Sequence, residues 1–151
     1  MKKIGLFLIL MTVSFYSLRA QTAEDSVKAA VNLLFESMKN GDANALRNCF
    51  SDSAILQTIS TDKSGQKFIR SEQVSGFAES VSKLPKGAAD ERIIFETIRI
   101  DGPLAIVWTP YMFYFNGQFS HCGVNSFHLV KLNGSWKIHF LIDTRRKEPC
   151  L

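Results

Sequence analysis

Two hydrophobic periods divide the chain. Between Thr22 and Asn40, apolar residues return every three or four positions, at Val27, Ala30, Val31, Leu34, Phe35 and Met38. That spacing puts them on one face of an amphipathic helix. Thr22 with Asp25 three residues later is a start signal, because each side chain can satisfy the other's free amide, and Asn40-Gly41 is a stop. Asp42 is placed to cap a second, short helix through Leu46, Cys49 and Phe50. Ala54 to Thr61 is apolar and β-branched, Asp62 to Gly65 is turn-rich, and Gln66 to Arg70 returns as a short strand, so a small hairpin is expected. Ser71-Glu72 opens a third helix whose buried stripe is Val74, Phe77, Val81 and Leu84, and Pro85-Lys86-Gly87 ends it.

From Glu91 onward the pattern is that of strands: Glu91 to Ile100, Leu104 to Phe115, Phe119 to Leu132 and Trp136 to Thr144. The breaks are Asp101-Gly102, Asn116-Gly117 and Asn133-Gly134. Asn-Gly favours the tight type I′ hairpin, because both central residues must take positive φ. An antiparallel meander follows. No repeat, linker or low-complexity tract interrupts it, which implies one compact domain.

The first twenty residues read differently. Lys2 and Lys3 precede an apolar run from Ile4 to Val13, and small and polar residues lead to Ala20. This is the order of a secretory signal peptide, and the run is too short to span a bilayer, which takes about 20 apolar residues. The expected division is residues 1–20 as signal and 21–151 as the domain, with export to the periplasm or medium. Cleavage after Ala20 removes Lys2, Lys3 and Arg19 and no acid, which lowers the formal charge from +4 to +1. A near-neutral domain lacks the basic footprint that nucleic acid requires. The three cysteines, Cys49, Cys122 and Cys150, are an odd count, so at least one is free or pairs between chains; Cys49 and Cys122 read as small packed residues.

The order helix, helix, hairpin, helix, four long strands resembles the nuclear transport factor 2-like superfamily. The turn Asn40-Gly41-Asp42-Ala43 and the strand entry Phe50-Ser51-Asp52-Ser53-Ala54 are similar to that superfamily's. His121 to Phe127, Gly134-Ser135-Trp136-Lys137-Ile138 and Asp143-Thr144-Arg145-Arg146 resemble its lumazine-binding branch. The resemblance implies an α+β, cone-shaped fold, with three N-terminal helices against a curved antiparallel sheet. It also implies a ligand-sized cavity at the cone's mouth and often a homodimer. A fold that hosts isomerases, dehydratases, hydrolases and binders does not itself choose among them.

Regular two-residue hairpins give a map of neighbours. Around Asn133-Gly134 it pairs Leu129 with Ile138, Phe127 with Phe140 and Asn125 with Ile142; around Asn116-Gly117 it pairs Met112 with His121 and Trp108 with Asn125. The inner face then carries Trp108, Pro110, Met112, Tyr114, His121, Gly123, Asn125 and Phe127, besides Trp136, Ile138, Phe140 and Ile142. A bulge near Pro110 would reverse one strand. Trp108, Met112, Tyr114, His121, Asn125 and Phe127 are the expected ligand-binding residues, an apolar wall with few polar groups. His121 has no orienting partner in this map, because Asp143 faces Val124 on the other side. Glu96 is an acidic candidate of ambiguous facing. His128 and His139 lie opposite each other outside, an incomplete pair for a metal, so no metal site is assigned. Val107, Tyr111, Phe113 and Phe115 fall on the outer face, where a homodimer would cover them.

The expectation is an exported binder of a small apolar or aromatic molecule, with no cofactor identified, no nucleic-acid partner and no membrane span. An enzyme of the isomerase, dehydratase or hydrolase kind, or an interaction domain acting through the convex sheet face, are the alternatives.

Overall fold

The computed structural model describes residues 22–150, so the signal-peptide segment lies outside the described residues. Helix α1 spans Ala23–Asn40, and Thr22 and Asp25 close the reciprocal capping box at its start. Gly41 ends it at φ +70°, a left-handed conformation that favours glycine. Helix α2 is Ala43–Asn48, capped by the Asp42 carboxylate on the amides of Asn44 and Ala45. Strands β1 (Phe50–Thr61) and β2 (Lys67–Glu72) form the small hairpin, and α3 is Val74–Ser82. Ser71-Glu72 belongs to β2, so α3 starts after Gln73, which makes no side-chain cap.

The remaining strands are β3 (Ala89–Ile93), β4 (Thr97–Asp101), β5 (Leu104–Phe115), β6 (Gln118–Leu132) and β7 (Ser135–Arg146). They form one seven-stranded sheet in the order β2-β1-β7-β6-β5-β3, with β4 also on β5. β1 runs parallel to β7, so the sheet is mixed rather than wholly antiparallel. No tight turn joins those two strands, and turn chemistry therefore says nothing of their relative direction.

Besides a shift between Phe50 and Ile55 where β1 meets β7, irregular pairing at three places sets which side chains face the helices, and each bulge also bends its strand. In the middle hairpin Tyr114 pairs with Phe119 but Phe113 with His121, so Ser120 is the extra residue. In the last hairpin Leu129 pairs with Ile138 but His128 with Phe140, so His139 is extra. On the edge, Ile93 pairs with Tyr111 and Thr97 with Trp108, leaving three residues opposite two. Pro110 sits at that break and has no amide to donate. The expected strand Glu91 to Ile100 is thereby split in two.

These shifts correct the map of faces. Val107, Thr109 and Tyr111 point inward and are buried, whereas Trp108 is 44% exposed on the outer face, with Met112 and Tyr114 on the same side. Beyond His139, Leu141, Asp143 and Arg145 replace Phe140 and Ile142 on the inner face. His128 and His139 are not partners: the His128 ring meets Phe140 edge-on at 5.6 Å, and His139 Nδ1 shares a hydrogen bond with Ser51 Oγ at 3.0 Å.

The core lies between the inner sheet face and α1 and α3. Val27, Val31 and Leu34 of α1 and Val81 of α3 bury against Val107, Phe127, Leu129 and Ile138. Phe35 meets Phe127 edge-on at 6.1 Å. Cys122, expected as a lone packed residue, forms a disulfide with Cys150 that fastens the C-terminal segment back onto β6; Cys49 is buried and free.

Gly123 has the tightest surroundings of any glycine described. A Cβ there would stand 1.8 Å from the Thr144 carbonyl oxygen and 2.8 Å from the Tyr111 ring. Backbone cannot yield that distance without breaking the β6–β7 ladder. Gly123→Ala is therefore expected to cost well above the ~1 kcal/mol of an average substitution. Chemical denaturation would show it as a large fall in the midpoint, or as loss of folded protein.

Candidate functional site

A cavity of about 220 Å³ opens between α1, α3 and the far end of the sheet. Its helical wall is apolar: Leu34, Phe35 and Met38 from α1, Phe77 and Val81 from α3, and Leu84. Its sheet floor holds the polar groups, Glu91 of β3, His121 and Asn125 of β6, and Asp143 and Arg145 of β7, set among Ala89, Phe113 and Leu141. Strand alternation places Asp143 and Arg145 on one face two residues apart, and antiparallel pairing sets Asn125 beside Asp143.

Asp143 is 8% exposed and is held from three directions. Thr58 Oγ1 donates to its Oδ1 at 2.5 Å from the parallel neighbour β1. Arg145 Nε donates to its Oδ2 at 2.8 Å, and the same guanidinium reaches Thr58 Oγ1 at 3.3 Å. The Tyr111 hydroxyl lies 3.3 Å from Oδ2 and 2.9 Å from the Thr144 carbonyl oxygen. Since one hydroxyl carries one proton, the shorter contact is its main bond. The Tyr111 ring gets there by crossing Gly123. Burial, reinforced by Asp143, pushes the Tyr111 phenol far above its ordinary value, so it stays protonated.

Glu91 is differently placed. Asn125 Nδ2 donates to its Oε1 at 2.8 Å, and among the described residues no hydrogen bond engages Oε2. Arg145, the cation on this floor, is already bonded to Asp143. Desolvation dominates and raises Glu91 to about 7, opposed by the Asn125 hydrogen bond and assisted by the nearby Asp143 charge. His121 keeps Nδ1 against Ser120 Oγ at 3.1 Å and packs on Phe113, ring centroids 5.0 Å apart. Burial, and then the Arg145 charge, lower His121 from its ordinary value and favour the uncharged ring.

Of the residues expected to bind ligand, His121 and Asn125 line this cavity. Phe127 lies deeper, fully buried in the core. Trp108, Met112 and Tyr114 lie on the other face of the sheet, the consequence of the bulge at Ser120. Glu96 is exposed, past the break at Pro110. The sequence map missed Glu91, Asp143 and Arg145. The two on β7 were hidden by the bulge at His139, and Glu91 by the unresolved facing of its strand. The Asp143-Thr144-Arg145 spacing carries the signal that could have exposed two of them, since i and i+2 must share a face.

The family model for "Putative lumazine-binding" proteins matches residues 22–139. The chain belongs to that family. Among curated proteins, none matches it. Its fold is that of solved structures of low sequence identity. One is a nuclear transport factor 2-like protein of unknown function from Shewanella baltica: TM-score 0.61, 17% identity, 85% of this chain and all of that one covered. A cystatin-like-fold protein of unknown function from Nostoc punctiforme gives TM-score 0.64 at 14% identity, covering 83% of this chain and 93% of the other. A nuclear transport factor 2-like protein of unknown function from Silicibacter pomeroyi gives 0.61 at 17%, covering 80% and 93%. At such identities the likeness concerns the fold.

The raised Glu91 carboxyl has a consequence for stability. A carboxyl whose folded value exceeds its unfolded one favours the native state below the unfolded value, and that advantage is lost as pH rises through the folded value. The window here runs from 4.5 to about 7. Glu91→Gln keeps the Asn125 hydrogen bond and removes the charge. Thermal melts are expected to show the variant close to the parent at pH 4 to 5 and more stable than it at pH 8. A difference independent of pH would contradict the raised value.

Proposed function

We propose that the protein binds a small ring compound in the cavity floored by Glu91, Asn125 and Arg145. The observation that carries this reading is the division of the cavity itself, with apolar helices on one side and a few convergent polar groups on the other, the usual construction of a small-molecule site. At about 220 Å³ it falls below the ~300 to 1,000 Å³ of drug-sized pockets, which favours one or two fused rings over a steroid or a fatty chain. The family's description adds lumazine-type bicyclic heteroaromatics to the apolar and aromatic molecules expected from sequence. A ring with polar edges meets both walls, while a pure hydrocarbon leaves the floor unanswered.

Export fits the same reading. The Cys122–Cys150 disulfide belongs to an oxidising compartment, in keeping with the signal-like order of residues 1–20. The outer sheet face supports a homodimer, though through other residues than the sequence map proposed. Val107, Tyr111 and Phe113 face inward, and the exposed apolar positions on the outer face include Leu104, Ile106 and Trp108 of β5 and Ile55 of β1.

Native mass spectrometry of the exported protein tests both. A dimer carrying a co-purified small molecule, or taking up lumazine or a one- or two-ring aromatic from a panel, is the expected result. Trp108→Glu is expected to give monomers that still bind. Failure of the whole panel, with no co-purified molecule, would replace this reading with a closed core, and an undisturbed dimer in Trp108→Glu would exclude that face.

A further inference from the structure

We propose that the molecule held between α1, α3 and the sheet is a planar organic cation, a ring bearing an amidinium or guanidinium group whose N–H donors are received by Glu91 Oε2 and Asn125 Oδ1. The inference rests on the binding reading above and adds to it the charge and hydrogen-bonding pattern of the ligand.

Three features of the cavity support it. The first is what its polar groups lack. Asn125 Nδ2 donates to Glu91 Oε1 at 2.8 Å, which fixes the other end of the amide as an acceptor, and among the described residues no hydrogen bond engages Glu91 Oε2 or Asn125 Oδ1. Two acceptors on the floor therefore await donors, and an amidinium, like a guanidinium, carries donors alone. The second is charge. Asp143 is paired with Arg145 Nε at 2.8 Å, so ionised Glu91 is the charge left over. The titratable groups facing it are Asp143 and Arg145 from β7, His121 from β6 and Tyr111 from β5, while the lining residues of α1 and α3 carry no charge. Tyr111 stays protonated and burial favours the uncharged His121 ring, so neither cancels Glu91. A bound cation supplies the counter-charge that a buried carboxylate requires. The third is the aromatic lining, with Phe35 from α1, Phe77 from α3 and Phe113 from β5 around the same space. The face of an aromatic ring is its negative region, which favours a planar cation over an uncharged ring of the same shape.

The pairing makes binding depend on pH. The carboxylate form of Glu91 attracts the cation and the acid form does not. Burial raises that carboxyl to about 7, so a cation that does not itself titrate near neutrality binds more tightly as pH rises through this value. Where Glu91 is still protonated, binding expels its proton. An anion meets the reverse, because its charge opposes ionised Glu91 and Arg145 is already bonded to Asp143.

The probe is benzamidine, a one-ring amidinium that stays cationic throughout the working range. Titration calorimetry with the full exported protein compares it with benzamide, an uncharged analogue of the same shape, and with benzoate. At pH 8 benzamidine is expected to bind about tenfold or more tightly than benzamide, the scale of one charge-assisted hydrogen bond, and benzoate to bind most weakly. The benzamidine affinity is expected to fall between pH 8 and pH 5, with proton release on binding near pH 7. Glu91→Gln keeps the shape and the Asn125 hydrogen bond, and is expected to remove both the preference for benzamidine and its pH dependence. His121 is still present in that variant, so a pH dependence that survives there belongs to His121 and counts against Glu91. Thermal melts confirm that the variant is folded, and the comparison of benzamidine with benzamide in the parent needs no variant. Equal affinity for the two, or a preference unchanged in Glu91→Gln, overturns the proposal. If benzamide or another uncharged ring binds and benzamidine does not, the charge assignment falls and the binding reading stands; only failure of every ring removes both.

Discussion

Asp143 sits on the inner sheet face at 8% exposure, where a carboxylate must be paired and hydrogen-bonded to be tolerated. The partners are assembled by strand geometry. Thr58 comes from the parallel strand β1, Arg145 from two positions along β7, and Tyr111 from β5 across a glycine. Arg145 keeps 46% of its side chain exposed, so solvent screens the attraction, and the pair matters less for its own energy than for the cost of leaving Asp143 alone. Several oddities of the chain answer to this one requirement. Gly123 has no side chain because the Tyr111 ring and the Thr144 carbonyl occupy its space. The parallel β1–β7 contact brings Thr58 into reach.

The functional consequence lies in what the arrangement leaves over. With Arg145 bonded to Asp143, Glu91 has among the described residues Asn125 alone for a hydrogen-bond partner, and a largely apolar helical wall opposite. The two carboxylates on the same floor are thus differently held, Asp143 by several partners and Glu91 by one. The environment of each, not its residue type, assigns its part, as in other sites where neighbouring acids are pushed toward different values.

Much of the fold was legible because its signals are local. The capping box at Thr22, the left-handed Gly41 and the Asn-Gly turns each act over a few residues, and all three appear in the structure. The first pairs of both hairpins, Leu132 with Ser135 and Phe115 with Gln118, follow from those turns. The site was less legible because facing accumulates along a strand. One extra residue at Ser120 and one at His139 reversed β5 and the far half of β7, and neither residue is unusual in a strand. Only Pro110 announced its irregularity. The parallel pairing of β1 with β7 is set by packing over the helices, and the Cys122–Cys150 bridge by a tail that returns to β6, so neither had a local signature.

The account turns on Glu91 being a desolvated carboxyl outside the Asp143–Arg145 ion pair, and site-resolved NMR titration of its side-chain carboxyl carbon measures that directly. A midpoint near 7, falling when the cavity is opened to water by truncation of Phe77, is the result predicted here. A midpoint near the ordinary 4.5 would contradict it, placing Glu91 in water or in an ion pair.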